Sequence, residues 1–108
     1  MSKVKTNIIK LLKEYITEVN KICPVEKAVL FGSYAKGLNN KDSDIDVAIF
    51  SKKVNEKNRL EIMSKLIMLI NKFKVDIQPV VFPYRDYLND DNDFISGEIK
   101  KRGMEIKI

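Results

Sequence analysis

Phe31-Gly32-Ser33-Tyr34-Ala35-Lys36-Gly37-Leu38-Asn39-Asn40-Lys41-Asp42-Ser43-Asp44-Ile45-Asp46-Val47-Ala48-Ile49-Phe50 is the stretch on which the fold turns. Residues 44–50 alternate strictly, with Ile45, Val47 and Ile49 on one side and Asp44, Asp46, Ala48 and Phe50 on the other. That period of two predicts a strand. Both aspartates then leave the same face, with Cα atoms about 6–7 Å apart. Two like charges so placed repel unless a cation sits between them. Carboxylate oxygens suit Mg²⁺, which takes few protein ligands and keeps positions for substrate phosphates.

Upstream, residues 27–31 form a short apolar run that predicts a buried strand ending at Gly32. Ser33 to Lys36 read as a short helix, and 37–43 as a loop rich in Asn, Lys and Asp. A helix start after a glycine offers free N–H groups to a phosphate. Gly32 lets a ligand approach the backbone, Ser33 adds a hydroxyl, and Lys36 adds a positive charge one turn on. Each feature also has a plainer structural reading. Asp42, Ser43 and Asp44 can cap turns, Ser33 can be a helix N-cap, and Gly37 a C-cap.

Two familiar motifs nearly fit and fail. Gly32 to Gly37 has the P-loop glycine spacing, but Leu38 and Asn39 stand where Lys and Ser/Thr are required. Asp42, Asp44 and Asp46 copy the first half of an EF-hand loop, but Val47 replaces the turn glycine and Lys53 the closing Glu.

Outward from this centre, Ile8, Leu11, Leu12, Tyr15, Ile16, Val19 and Ile22 recur at helical spacing and predict a helix over 6–22, ended before Pro24. A second amphipathic helix is predicted over 56–73. Residues 75–81 read as a third strand, with Asp76, Gln78 and Val80 opposite Val75, Ile77 and Val81. Pro79 cannot donate to a ladder, so that strand is expected at a sheet edge or nearly finished there. A helix over 92–102, capped by Asp90 or Asp91 and stopped at Gly103, precedes a last short strand from Met104. The expected class is α/β (α+β): one small mixed sheet with helices packed on it. Asp76 is a third acid on a second strand, so three carboxylates could hold two metals about 3.5–4 Å apart.

With 108 residues the chain has the length of one domain, expected to span 1–108. No histidine is present, which excludes every imidazole base and His-ligated zinc. The single Cys23 can form neither an intramolecular disulfide nor a thiolate metal site. No secretory leader and no run of about 18 apolar residues is visible, so a cytoplasmic protein with a reduced thiol is expected. The net charge of +5 points to an acidic partner or nucleotide, or only to a solvated lysine surface. No nucleic-acid-binding motif or clustered basic stripe accompanies it, and a nucleic-acid partner is not expected.

Gly32-Ser33, ten residues, then Asp44-x-Asp46 resembles the signature of the nucleotidyltransferase superfamily that includes DNA polymerase beta. The fuller string Gly-Ser-Tyr-Ala-Lys-Gly…Ser-Asp-Ile-Asp is similar to its smallest branch, the minimal nucleotidyltransferase (MNT) domains, or MntA-type antitoxins. The likeness spans most of the chain. Lys36 stands where the family often has Arg, keeping the charge and losing the planar fork. The resemblance implies a nucleotidyltransferase fold. It implies that Gly32 and Ser33 bind a nucleoside triphosphate, and that Asp44 and Asp46 bind two Mg²⁺ ions. Asp76 would complete the site and help deprotonate the attacking hydroxyl. The implied reaction moves AMP from ATP to a hydroxyl with release of pyrophosphate.

Larger relatives carry extra domains that hold the acceptor, and no room remains here for one. Another chain, or a second copy of this one, must shape the acceptor. In the MNT branch the partner is a HEPN-type ribonuclease toxin, neutralised by AMP on a tyrosine, and that role is the leading expectation. Two alternatives stand beside it. One is a non-catalytic module that inhibits a partner by contact. The other is a transferase acting on a small molecule such as an aminoglycoside.

Overall fold

The computed structural model describes residues 6–36, 44–73, 76–89 and 92–107. Helix α1 (Thr6–Val19) comes first, then strand β1 (Lys27–Phe31), the short helix α2 (Ser33–Lys36) and strand β2 (Ile45–Ser51). Helix α3 (Arg59–Leu69) follows, with a 3-10 turn (Ile70–Lys72), strand β3 (Ile77–Pro83) and helix α4 (Tyr84–Leu88). A π-helix (Ile95–Lys101) and strand β4 (Met104–Glu105) close the order. The strands form one sheet in the order β3-β2-β1-β4. β1 runs antiparallel to β2 and β4, while β2 and β3 are parallel, joined by the α3 crossover. The expected mixed sheet with packed helices is what forms.

The alternation in β2 sorts its residues as expected, but both faces are covered. Ile45, Val47 and Ile49 join Leu30, Ile77 and Val81 beneath α1 and α3. On the other side, Ala48 and Phe50 pack with Val29, Phe31, Ile95 and Ile99, flanked by Phe82 and Tyr87. As the second strand in from the β3 edge, β2 is buried on both sides everywhere except at its aspartate end.

Helix α1 buries Leu12, Tyr15, Ile16 and Val19, the i, i+3, i+4, i+7 stripe of one face. The Tyr15 hydroxyl donates to the Leu66 carbonyl at 2.8 Å and ties α1 to α3. α1 stops at Val19, three residues short of the expected end, because Ile22 N–H bonds back to Val19 O, three residues behind, and tightens the turn. Asn20 Oδ1 then accepts from Val25 N–H.

Helix α3 begins three residues later than expected. Asn55 and Asn58 cap a turn there: Asn55 Oδ1 accepts from the N–H groups of Lys57 and Asn58, and Asn58 Oδ1 from Asn55 N–H. β3 lies at the sheet edge, the first of the two readings of Pro79, and does not finish there: it extends to Pro83 because Phe82 and Pro83 pair with Phe50 and Ser51. Val75, expected in this strand, lies outside the described residues.

Asp90 and Asp91, the expected caps of the last helix, also lie outside the described residues. Asn92 does the capping, its Oδ1 accepting from Phe94 and Ile95 N–H. The helix continues as a π-helix rather than an α-helix, with Arg102 N–H reaching Gly97 O five residues back. It stops at Gly103 as expected. A Cβ there would lie 2.5 Å from Val29 Cγ1 and 3.0 Å from Leu30 O, so only glycine lets this turn sit on β1.

Candidate active site

The register of β1 on β2 pairs Phe31 with Asp46, so the chain leaves β1 directly beside that aspartate. Gly32 turns there with φ of +77°, a conformation that L side chains disfavour. A Cβ on Gly32 would lie 3.2 Å from Asp46 Cγ and in collision with Oδ2. Gly32 is therefore glycine for two reasons, its backbone angle and the carboxylate it must clear. Ser33, half-buried, opens α2 immediately after.

Asp46 is partly buried. Burial first, and the neighbouring Asp44 charge second, push its carboxyl above the ordinary carboxylate range. Asp44 is exposed and immediately precedes β2, on the same side of the strand. Ile45 N–H donates to the Asp76 carbonyl at 2.8 Å, and Ile45 pairs with Ile77. Asp76 thus stands at the start of β3 as Asp44 stands at the start of β2, about 5 Å away across the sheet. Gln78 is the register partner of Asp46.

The expected acids therefore gather at one end of two parallel neighbouring strands. Asp44 and Asp46 form the close pair, and Asp76 is exposed one strand over. Among the described residues no three ligating side chains converge into a ready metal cluster. The donor set still fits a divalent cation. It is all carboxylate oxygen, and the Asp44 charge that works against ionisation of Asp46 is what a cation would relieve. The side chain of Lys36 lies outside what is described, as do Gly37, Asp42 and Ser43 in the loop.

Sequence reasoning missed two features along the β3 edge, the first at the end far from these acids. Arg59 donates through Nε to the Val81 carbonyl at 2.7 Å, and its guanidinium lies 4.9 Å from the Phe82 ring centroid. A groove between α3 and β3 reaches Asp76. Neither carries a local sequence signal, since both depend on α3 lying across the β3 edge. Cys23 is buried, and burial pushes its thiol up, as suits an inert core cysteine. Among the described residues no helix is long and apolar enough to cross a membrane.

Residues 10–105 match the family model of the nucleotidyltransferase domain. A candidate protein adenylyltransferase of Methanocaldococcus jannaschii is 28% identical over 101 residues, covering 92% of this chain and 98% of that protein. Among solved structures, a candidate nucleotidyltransferase from Sulfolobus solfataricus aligns with a TM-score of 0.60 at 23% identity, over 97% of this chain and 89% of that one. A toxin–antitoxin structure with AMP-PNP aligns with a TM-score of 0.58 at 20% identity, over 88% of this chain and 72% of that one. The toxin–antitoxin MntA-HpeT gives 0.52 at 22% identity, over 94% and 70%. The matched segment runs from α1 into β4 and encloses the Gly32 turn and all three acids, and this chain belongs to the nucleotidyltransferase-domain family of transferase enzymes.

Proposed function

We propose that this chain transfers AMP from ATP to a tyrosine hydroxyl of a partner protein, and that the partner is a HEPN-type ribonuclease toxin silenced by the modification in the cytoplasm. The observation that carries the reading is the seating of the Gly32 turn against Asp46, which puts a serine-led turn beside a pair of carboxylates. The adenylyltransferase relative and the fold likeness to toxin–antitoxin proteins support the choice of substrate and partner.

In this reading Gly32 and Ser33 hold the triphosphate, with Lys36 contributing charge. Asp44, Asp46 and Asp76 would hold Mg²⁺, two ions in this reading. Bound there, the metal would neutralise phosphate charge and stabilise the attacking and leaving oxygens. Asp76, the exposed acid at the sheet edge, takes the proton of the acceptor hydroxyl. The hydroxyl oxygen bonds to the α-phosphorus, the bond to the bridging oxygen breaks, and pyrophosphate leaves with the electron pair. We read residues 1–108 as one minimal nucleotidyltransferase domain, to which the partner protein presents its hydroxyl in line.

Inhibition by contact alone is the second reading, favoured by the exposed apolar side chains Leu60, Ile67 and Met68 on α3. The two separate on Asp44→Asn, Asp46→Asn and Asp76→Asn, tested against whatever ribonuclease-like protein a neighbouring gene encodes. Loss of inhibition in all three supports transfer. Inhibition equal to wild type in all three overturns it.

A further inference from the structure

A groove of ≈ 390 Å³ runs along the outer edge of β3 beneath α3, and Asp76 lies at one end of it. Its walls are Met63, Ile67 and Ile70 from the helical side and Pro79 and Val80 from the strand. α3 is apolar on two sides. Ile62 and Leu66 are buried in the core, while Leu60, Ile67 and Met68 are 78%, 52% and 71% exposed. Glu61, Ser64 and Lys65 occupy the outer side of the helix, with Glu61 paired to Lys65, so the exposed Ile67 at the groove flank is an apolar side chain that nothing covers among the described residues.

The edge itself resists strand addition. Ile45 N–H bonds to the Asp76 carbonyl, so Gln78, Val80 and Phe82 turn their backbone groups toward β2, and Ile77, Pro79 and Val81 turn theirs outward. Pro79 has no N–H to offer. The Val81 carbonyl is already taken by Arg59. An occupant must therefore dock through side chains, as an amphipathic helix does in a groove, and not by extending the sheet.

We propose that this groove is the docking surface for the acceptor protein, which lays an amphipathic helix along α3 with its hydroxyl-bearing end toward Asp76. The proposal rests on the transfer reading for the identity of the occupant. The continuity of the groove with Asp76 selects that occupant: a chain seated on Ile67 and Pro79 is already aligned with the acid that would take its proton. A second copy of this chain would leave the acceptor without an approach along β3.

Ile67→Glu and Ile67→Lys test it, since Ile67 lines the groove and is more than half exposed. Lys57→Glu, an exposed charge change away from the groove, is the control. Association with whatever ribonuclease-like protein a neighbouring gene encodes is followed by sedimentation velocity, and Mg²⁺-ATP binding by calorimetry. The expected result is at least a tenfold loss of association in the two groove variants, with a parallel loss of transfer. The control should associate normally, and all variants should bind nucleotide and melt like wild type. Groove variants that associate like wild type overturn the proposal. So does a dimer of this chain alone that Ile67→Glu dissolves, because the occupant is then a second copy. Loss of association in the groove variants, with no transfer even by wild type, upholds the docking surface and rejects the transfer reading.

Discussion

The Asp46 carboxylate occupies the space that a side chain at residue 32 would need, and Gly32 answers with a bare Cα at a φ of +77°. One strand end thereby fixes both the turn that follows β1 and the orientation of an acid on β2. Gly32→Ala should cost about 1–2 kcal/mol for the backbone angle alone, and more for the collision. Urea unfolding of the double-mutant cycle with Asp46→Ala checks this. The cost of Gly32→Ala should fall when the carboxylate is gone, and the remainder reports the backbone angle.

Metal-free stability should fall as pH rises across the acidic range, in a component that belongs to Asp46. Its folded-state carboxyl is raised by burial and by Asp44, so the folded protein prefers the protonated form. That contribution is complete below the ordinary aspartate range and is lost as pH climbs through the raised value. Glu18, held low by its hydrogen bond to the Lys21 ammonium and by that charge, slopes the opposite way. The test is therefore the difference between wild type and Asp46→Asn in EDTA. The variant should be as stable or more stable at neutral pH, by under about 1 kcal/mol, and the difference should vanish toward pH 3.

Much of this arrangement was legible in the sequence. The alternation of Ile45, Val47 and Ile49 against Asp44 and Asp46 named the central strand and the face of its acids. Pro79 offered an edge or a strand end, of which the edge is what forms, and Gly103 named the end of the last helix. What escaped depends on contacts between distant segments. Ala48 and Phe50 shared a side with the aspartates and were placed on the acid face, yet Ile95, Ile99 and Tyr87 cover them. The π-helix has no period of its own to read, and helix α4 followed a proline that closed off the pattern before it. The Asp76 groove is invisible locally because it is the gap between two elements, not a motif.

Tyr15→Phe should destabilise the fold by about 1 kcal/mol, because the Leu66 carbonyl loses a buried donor at 2.8 Å. Urea midpoints at unchanged m-value check it. Nucleotide binding should be unaffected, since this bond lies between α1 and α3.

Ser33→Ala should weaken Mg²⁺-ATP binding by about 1.5–3 kcal/mol, the worth of one hydrogen bond to a charged group. Calorimetric titration reads the change. A loss of about 1 kcal/mol in stability with ATP affinity untouched would instead make Ser33 a helix cap.

The most direct test of the whole account is intact-mass spectrometry of whatever ribonuclease-like protein a neighbouring gene encodes, incubated with this chain, Mg²⁺ and ATP. The account predicts that the partner gains AMP units on tyrosine and that pyrophosphate appears in equal amount. Asp44→Asn, Asp46→Asn and Asp76→Asn chains should yield neither, with Asp76→Asn still binding nucleotide in part. A partner of unchanged mass with every nucleoside triphosphate tested, still inhibited by all three variants, would contradict it.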